Sequence, residues 1–269
     1  MARDFFKPST GLLLVDSLNF CFRYTKRNGN FAADFIREVN SFADSFDCGN
    51  IIILADRYGS IYRKNIYPEY KANRKRENQT EEEALEFKKF IDEYNRALDV
   101  AANRFKVIVI DGVEADDTIA YLSTRKAKDF SHIMILSTDK DLNQLVNHKV
   151  SRFSYITRKE TNIHNFEEQN GCTPSDFILT KCLEGDTGDN IPGIAGIGKK
   201  RACTLARDYC DVELLLDAIP LEGKQIFIQN LNKGRDILEL NYKLMDLTNH
   251  QDEILNQEHI QYIEEIYNG

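Results

Sequence analysis

Gly11-Leu12-Leu13-Leu14-Val15, closed by Asp16, is the stretch on which the fold turns. A run that is apolar at every position, rather than at alternate ones, suits a strand covered on both faces. The design recurs at Ile51 to Ala55, closed by Asp56, at Val107 to Ile110, followed by Glu114, Asp116 and Asp117, and at Ile133 to Leu136, followed by Asp139 and Asp141. Between the runs the apolar spacing turns helical. Phe31, Phe35, Val39, Phe42 and Phe46 make one stripe, and Phe87, Ile91, Tyr94, Leu98 and Phe105 another. Strand alternating with helix predicts an α/β fold with a mostly parallel central sheet flanked by helices.

In such a sheet the strand ends share one edge, where open α/β folds place their sites. The i, i+3 spacing of Asp186 and Asp189 predicts two more carboxylates on one face of a helical turn. A single Asp at a strand end reads simply as a cap for the next helix. Nine acids with reasons to converge ask for more. Two carboxylates about 4 Å apart repel by roughly 4 kcal/mol at an effective dielectric near 20, so the cluster must protonate, spread or hold cations. Oxygen donors without Cys or His favour magnesium or manganese over zinc. Two such ions suit phosphodiester hydrolysis, one activating water and one stabilising the leaving oxygen.

The 269 residues, 42% hydrophobic and 29% charged, suffice for one sizeable core with a smaller lobe attached. No apolar run approaches the roughly 18 to 20 residues of a membrane span, and no secretion pattern opens the chain. A soluble, cytoplasmic protein without a membrane partner is expected. Cys21, Cys48, Cys172, Cys182, Cys203 and Cys210 form no Cys-x-x-Cys pair, and the five histidines lack zinc-ligand spacing. The net charge of −8 argues, taken alone, against a polyanionic partner. The charge is segregated, however. Arg57, Arg63, Lys64, Lys71, Arg74, Lys75 and Arg76 face only Glu69 in their segment, and Tyr62, Tyr67 and Tyr70 interleave them as candidates for base stacking.

That basic segment lies in a connection from Asp56 to Lys106 that is too long for a simple crossover, and such connections are usually functional or disordered. Thr80 followed by Glu83 fits a capping box, which predicts an ordered helix in its second half. From Thr173 the pattern is helical, with Gly193, Gly196 and Gly198 leading into Lys199, Lys200 and Arg201. Glycines permit a tight turn there, and the amides opening the following helix, with three cations, suit gripping a phosphate backbone without reading sequence. The expected organisation is an α/β core over 1–172, containing a helical arch over 57–106, and a helical lobe over 173–269 with its glycine hairpin at 193–201.

Taken together, Leu-Val-Asp16, Leu-Ala-Asp56, Tyr-Pro-Glu-Tyr70-Lys71-Ala-Asn-Arg74, Val-Glu114-Ala-Asp116-Asp117, Ser-Thr-Asp139-Lys-Asp141 and Gly-Asp186-Thr-Gly-Asp189-Asn resemble the 5′-nucleases. These flap endonucleases or 5′ to 3′ exonucleases occur in phages and as the N-terminal domain of bacterial DNA polymerase I. The likeness runs from Leu12 to about Leu247 and is strongest to the phage type. It implies a metal-dependent hydrolase of replication or repair that cuts DNA at 5′ ends, flaps or junctions. All nine acids would serve two Mg2+ ions, directly or through water, with Mn2+ as a substitute and a monovalent cation at the glycine hairpin. Lys71 and Arg74 would approach the scissile phosphate, Tyr70 would stack near the terminal base, and Arg23 and Lys181 would lie beside the site. Gly193, Gly196, Gly198, Lys199, Lys200 and Arg201 would hold duplex backbone in a helix-three-turn-helix element. The resemblance further implies a monomer, phage-encoded and acting in the host cytoplasm, with no polymerase domain following Gly269. Ser17 departs from the glycine the family often carries after its first aspartate, and its side chain either narrows the cleft or packs elsewhere.

Three rival readings follow from the same residues. A related acidic-site ribonuclease shares the carboxylate nest. A haloacid-dehalogenase-type phosphatase uses one carboxylate as nucleophile, but places Asp-x-Asp directly after the first strand, where this chain has Asp16-Ser17-Leu18. A non-catalytic DNA-structure-binding module would normally have lost several of the acids, and none is missing.

Overall fold

The computed structural model describes residues 10–26, 29–74 and 80–269. Strands β1 (Leu12–Asp16), β2 (Asn50–Arg57), β3 (Lys106–Asp111) and β4 (Ile133–Leu136) occupy the four apolar runs. All pair in parallel, with β1 between β2 and β4 and with β3 outside β2. Two further strands, not expected from the sequence, extend the sheet. β5 (Val150–Ser154) runs parallel to β4, and β6 (Lys159–Thr161) runs antiparallel to β5. The order is therefore β3-β2-β1-β4-β5-β6.

Successive residues of a strand point to opposite faces, and β1 shows why its run has no polar position. Leu13 and Val15 join one core, and Leu12 and Leu14 the other. All four are fully buried, each worth about 1.5–3 kcal/mol against exposure. On the first face lie α1 (Ser17–Cys21), α2 (Ala32–Ser45) and the inner side of a long helix that, after α3 (Ile61–Ile66), forms α4 (Glu81–Ala101). The Thr80–Glu83 capping box is present at the start of α4. Phe90, Tyr94, Ala97 and Leu98 bury the second half of that helix in the core, so the expected arch is partly structural. Lys75 and Arg76 lie outside the described residues.

Helix α5 (Ala115–Arg125) covers the second face, and α6 (Phe166–Asn170) closes the sheet-bearing part of the chain. Helices α7 (Phe177–Glu184), α8 (Lys199–Tyr209), α9 (Val212–Ala218), α10 (Ile226–Lys233) and α11 (Arg235–Met245) form the helical lobe around Leu179, Leu183, Ile194, Leu215 and Leu238. The expectation that everything from 173 onward belongs to that lobe differs from the structure. α12 (Gln251–Ile254) and α13 (Gln257–Asn268) return to the sheet, where Leu247, Ile254, Leu255 and Ile263 pack with Ile119 and Leu122 of α5. Their apolar stripe covers a sheet face that α5 alone leaves open. No helix among the described residues is long and apolar enough to cross a membrane.

Candidate active site

The parallel registry brings the acidic strand ends to one edge. Asp16 ends β1, Asp56 sits next to the end of β2, and Glu114 is the N-cap of α5, whose first turn carries Asp116 and Asp117. Asp139 and Asp141 follow β4, and Asp189 arrives from the helical lobe. A cavity of about 210 Å³ is lined by Asp16, Asp56, Glu114, Asp116, Asp139, Asp141 and Asp189, together with Lys71 and Arg74. A larger cavity of about 740 Å³ lies at the opposite ends of the strands beside Leu12, Asn50 and Lys106, and among the described residues Asp129 is the only acid that lines it. The smaller one holds the chemistry.

The acids crowd one another at the cost of their charge. Burial, then the charges of Asp56 and Asp139, pushes Asp16 from 3.8 up to about 7, although Ser137 Oγ donates to its Oδ2 at 2.6 Å. Burial also pushes Asp56 up to about 6, against the amide of Ala115 that donates to its Oδ1. Asp116 is driven well above the carboxylate range by burial and by Asp139, Asp16 and Asp56. Glu114 goes the other way: burial is outweighed by Lys71 and Arg63, which hold its carboxylate charged.

Cations enter the nest from three sides. Lys71 Nζ lies 2.6 Å from Glu114 Oε1 and 3.8 Å from Asp189 Oδ2. Its backbone is left-handed, with φ 55°, and its N–H donates to the Asp189 carbonyl at 2.8 Å. A strained non-glycine residue over-determined by its surroundings is characteristic of functional sites. Arg74 pairs with Asp189 and donates from Nε to the Gly188 carbonyl at 3.2 Å. Lys181 bridges Asp141 at 2.8 Å and Asp186 at 3.0 Å.

Several expected site residues are placed differently. Asp117 faces away from the cavity: both its oxygens accept from Arg63 at 2.7 Å, and it is 1% exposed. It forms a buried ion pair with Arg63. Tyr70 lines the cavity but is 3% exposed, its ring packed in the lobe core and its hydroxyl shared between Glu114 at 3.0 Å and Asp189 at 3.3 Å. Tyr67 packs on the same core, and Tyr62 packs under α5 with its hydroxyl on Glu253. Arg23 is turned from the cavity, ion-paired with Glu38 at 2.9 Å and lying over the Phe20 ring. Asp186 and Asp189 share a tight turn rather than a helical face. Asp186 Oδ1 accepts from the amides of Gly188 and Asp189, and only Asp189 lines the cavity. Lys181 and those amides outweigh burial and hold Asp186 below its usual range.

Ser17 resolves the one departure from the family pattern. It is fully buried, donating to the Leu54 carbonyl at 2.7 Å and sharing a hydrogen bond with Tyr94 Oη, so it ties α1 to β2 and α4 and leaves the cleft free. Three residues outside the expected site set belong to the site. Ser137 supports Asp16, Asn19 lines the cavity and accepts from the Thr138 amide, and Arg63 forms part of its wall. Ser137 opens the Ser-Thr-Asp139 motif, whereas nothing in the local pattern separates Arg63 from its neighbours.

The glycine turn joins α7 to α8. A Cβ on Gly193 would stand 2.0 Å from the Glu184 carbonyl oxygen, and Gly196 has φ 82°, so both positions need glycine. Gly198 is the N-cap of α8 with open space around it. Lys199, Lys200 and Arg201 stand exposed in the first turn of that helix. From α10, Asn230 donates to the Ala195 carbonyl at 2.8 Å and the Phe227 ring lies beneath the Arg201 guanidinium.

Among the described residues no three acidic, His or Cys side chains already form a coordination cage. The donor set nevertheless fits a hard divalent cation: it is all carboxylate oxygen, and Asp16, Asp56 and Asp116 carry raised values that a cation between them would relieve. Repelling carboxylates at a sheet edge, with a lysine held among them and a basic turn alongside, define a metal-dependent nuclease. The comparisons give its family. A model described as the 5′-3′ exonuclease N-terminal resolvase-like domain matches residues 11–171, and one for the 5′-3′ exonuclease C-terminal SAM fold matches 172–265. The chain is 37% identical to the flap endonuclease of Escherichia phage T5 over 241 residues, 88% of this chain and 83% of that one. It is 33% identical to the flap endonuclease Xni of Shewanella sp. (strain ANA-3), over 74% of this chain and 72% of the relative. A crystal structure of the phage T5 protein co-crystallised with metal ions superposes with a TM-score of 0.91 at 34% identity, covering 96% and 98% of the two chains. The chain therefore belongs to the 5′-3′ exonuclease family, and the phosphatase reading is set aside.

Proposed function

We propose that this protein is a structure-specific 5′-nuclease that hydrolyses DNA phosphodiesters at or near 5′ ends and flaps with two Mg2+ ions, Mn2+ substituting. The observation that carries the proposal is the convergence of seven carboxylates on one cavity with Lys71 held among them. Asp16, Asp56, Glu114, Asp116, Asp139, Asp141 and Asp189 would hold the ions. Asp186 would act through Lys181, and Asp117 through Arg63. Bound there, the ions supply a nucleophile at neutral pH and charge stabilisation of the leaving oxygen.

The chain's own residues do the rest. Lys199, Lys200, Arg201 and the turn amides grip one strand of a duplex through its phosphates, which positions without reading sequence. Lys71 and Arg74, now neutralised by Glu114 and Asp189, would swing to the phosphate oxygens as divalent ions replace them beside the carboxylates, and there balance developing charge. The Ala195 and Gly196 carbonyls already accept from Asn230 and Arg201, which competes with a monovalent cation at the turn. Likeness to the flap endonuclease of Escherichia phage T5 supports action in the cytoplasm of an infected host.

End-labelled 5′-flap DNA tests the reading. Cleavage in Mg2+ leaving a 5′-phosphate, and none in excess EDTA, is expected. Binding of the flap without cleavage, or cleavage of RNA alone, would overturn it.

A further inference from the structure

In the sequence Arg63 is one charge of the basic segment between Arg57 and Arg76. In the structure it is 2% exposed, on α3, and its guanidinium joins three parts of the molecule. Nε donates to the Leu244 carbonyl of α11, in the helical lobe, at 2.8 Å. Nη1 and Nη2 each donate to Asp117 at 2.7 Å, on α5 of the sheet layer, and Nη1 also reaches Glu114 Oε2 at 3.2 Å. The paired carboxylate of Asp117 already neutralises the buried cation. The contacts to Glu114 and to Leu244 are surplus to that pairing, and they link a cavity-lining acid to the lobe that carries the basic turn. A planar fork can serve three directions at once, which a lysine ammonium on a flexible stem cannot.

We propose that Arg63 is a positioning residue that orients Glu114 in the cavity and locks the helical lobe onto the sheet edge, so that the cation-binding edge is preset only while the lobe is docked. This rests on the reading of Glu114 as facing a divalent ion.

The test is calorimetric binding of Mn2+ to the full chain without DNA, well below each variant's melting temperature. The Arg63→Met/Asp117→Asn pair removes the guanidinium without stranding a buried carboxylate. It should bind Mn2+ about tenfold or more weakly, the range seen when residues supporting a metal ligand are removed. Asp117→Asn alone keeps the link from Leu244 to Glu114, so it should melt lower and lose distinctly less Mn2+ affinity than the pair. Arg63→Lys, which keeps the charge but loses the fork, should fall between and decides the matter should the double variant not fold. Parent-like Mn2+ affinity in folded Arg63→Met/Asp117→Asn or Arg63→Lys would overturn the inference while leaving the metal site intact. Absence of Mn2+ binding by the parent would instead sink the metal reading, and this inference with it.

Discussion

Metal-free protein should lose stability as the pH rises, the reverse of the usual behaviour of ion-paired carboxylates. Burial and its acidic neighbours lift Asp16 from 3.8 to about 7, and burial lifts Asp56 to about 6. Between the unfolded and folded values the native state keeps protons that the unfolded chain has released, so stability present at low pH is lost as the pH climbs through the folded values. One pH unit between the folded and unfolded values is worth about 1.4 kcal/mol, so the rise from about pH 5 to about pH 8 removes on the order of a few kcal/mol, more through Asp16 than through Asp56. A chain of this size shifts by about 2 °C per kcal/mol, giving a fall of several degrees. Thermal melts in EDTA at the two pH values measure it. Asp16→Asn should flatten the pH dependence, and Mg2+ should restore most stability at the higher pH, because it binds only the folded chain. A metal-free melting temperature that is equal or higher at alkaline pH, or an unchanged slope in Asp16→Asn, would refute the reasoning.

Lys71→Ala should slow single-turnover cleavage by about a hundredfold or more, with duplex affinity changed less than about threefold; equal losses in both would assign Lys71 to binding. Lys200→Ala and Arg201→Ala should weaken binding to all duplex sequences alike, and each should lower the slope of log affinity against log salt by about one; an unchanged slope would remove them from the phosphate contacts. Gly193→Ala places a methyl 2.0 Å from the Glu184 carbonyl oxygen and should cost about 3 kcal/mol or more in denaturant unfolding; a stable variant would show that the turn can relax.

How much of this was legible depended on what the chain shows locally. Continuous apolarity marked β1 to β4 because both faces are buried, and the acids at their ends were placed on one edge by parallel pairing alone. β5 was hidden by Ser151 and Arg152. Arg152 is buried, but hydrogen bonds to Asn143 and the Ser137 carbonyl satisfy it, a compensation that exists only in three dimensions. Asp116 and Asp117 are adjacent in sequence, yet neighbours on a helix point about 100° apart. One therefore enters the cavity and the other meets Arg63. The burial of Tyr70 could not be read from its basic run, because it depends on α7 and α11, far along the chain. Likewise the return of α12 and α13 to the sheet reflects a face that only the assembled fold leaves uncovered.

Anomalous diffraction from crystals soaked in Mn2+ tests the central claim most directly. Two peaks roughly 4 Å apart, enclosed by Asp16, Asp56, Glu114, Asp116, Asp139, Asp141 and Asp189, are expected. An empty cavity at millimolar Mn2+, or peaks lying only at other surfaces, would contradict the account.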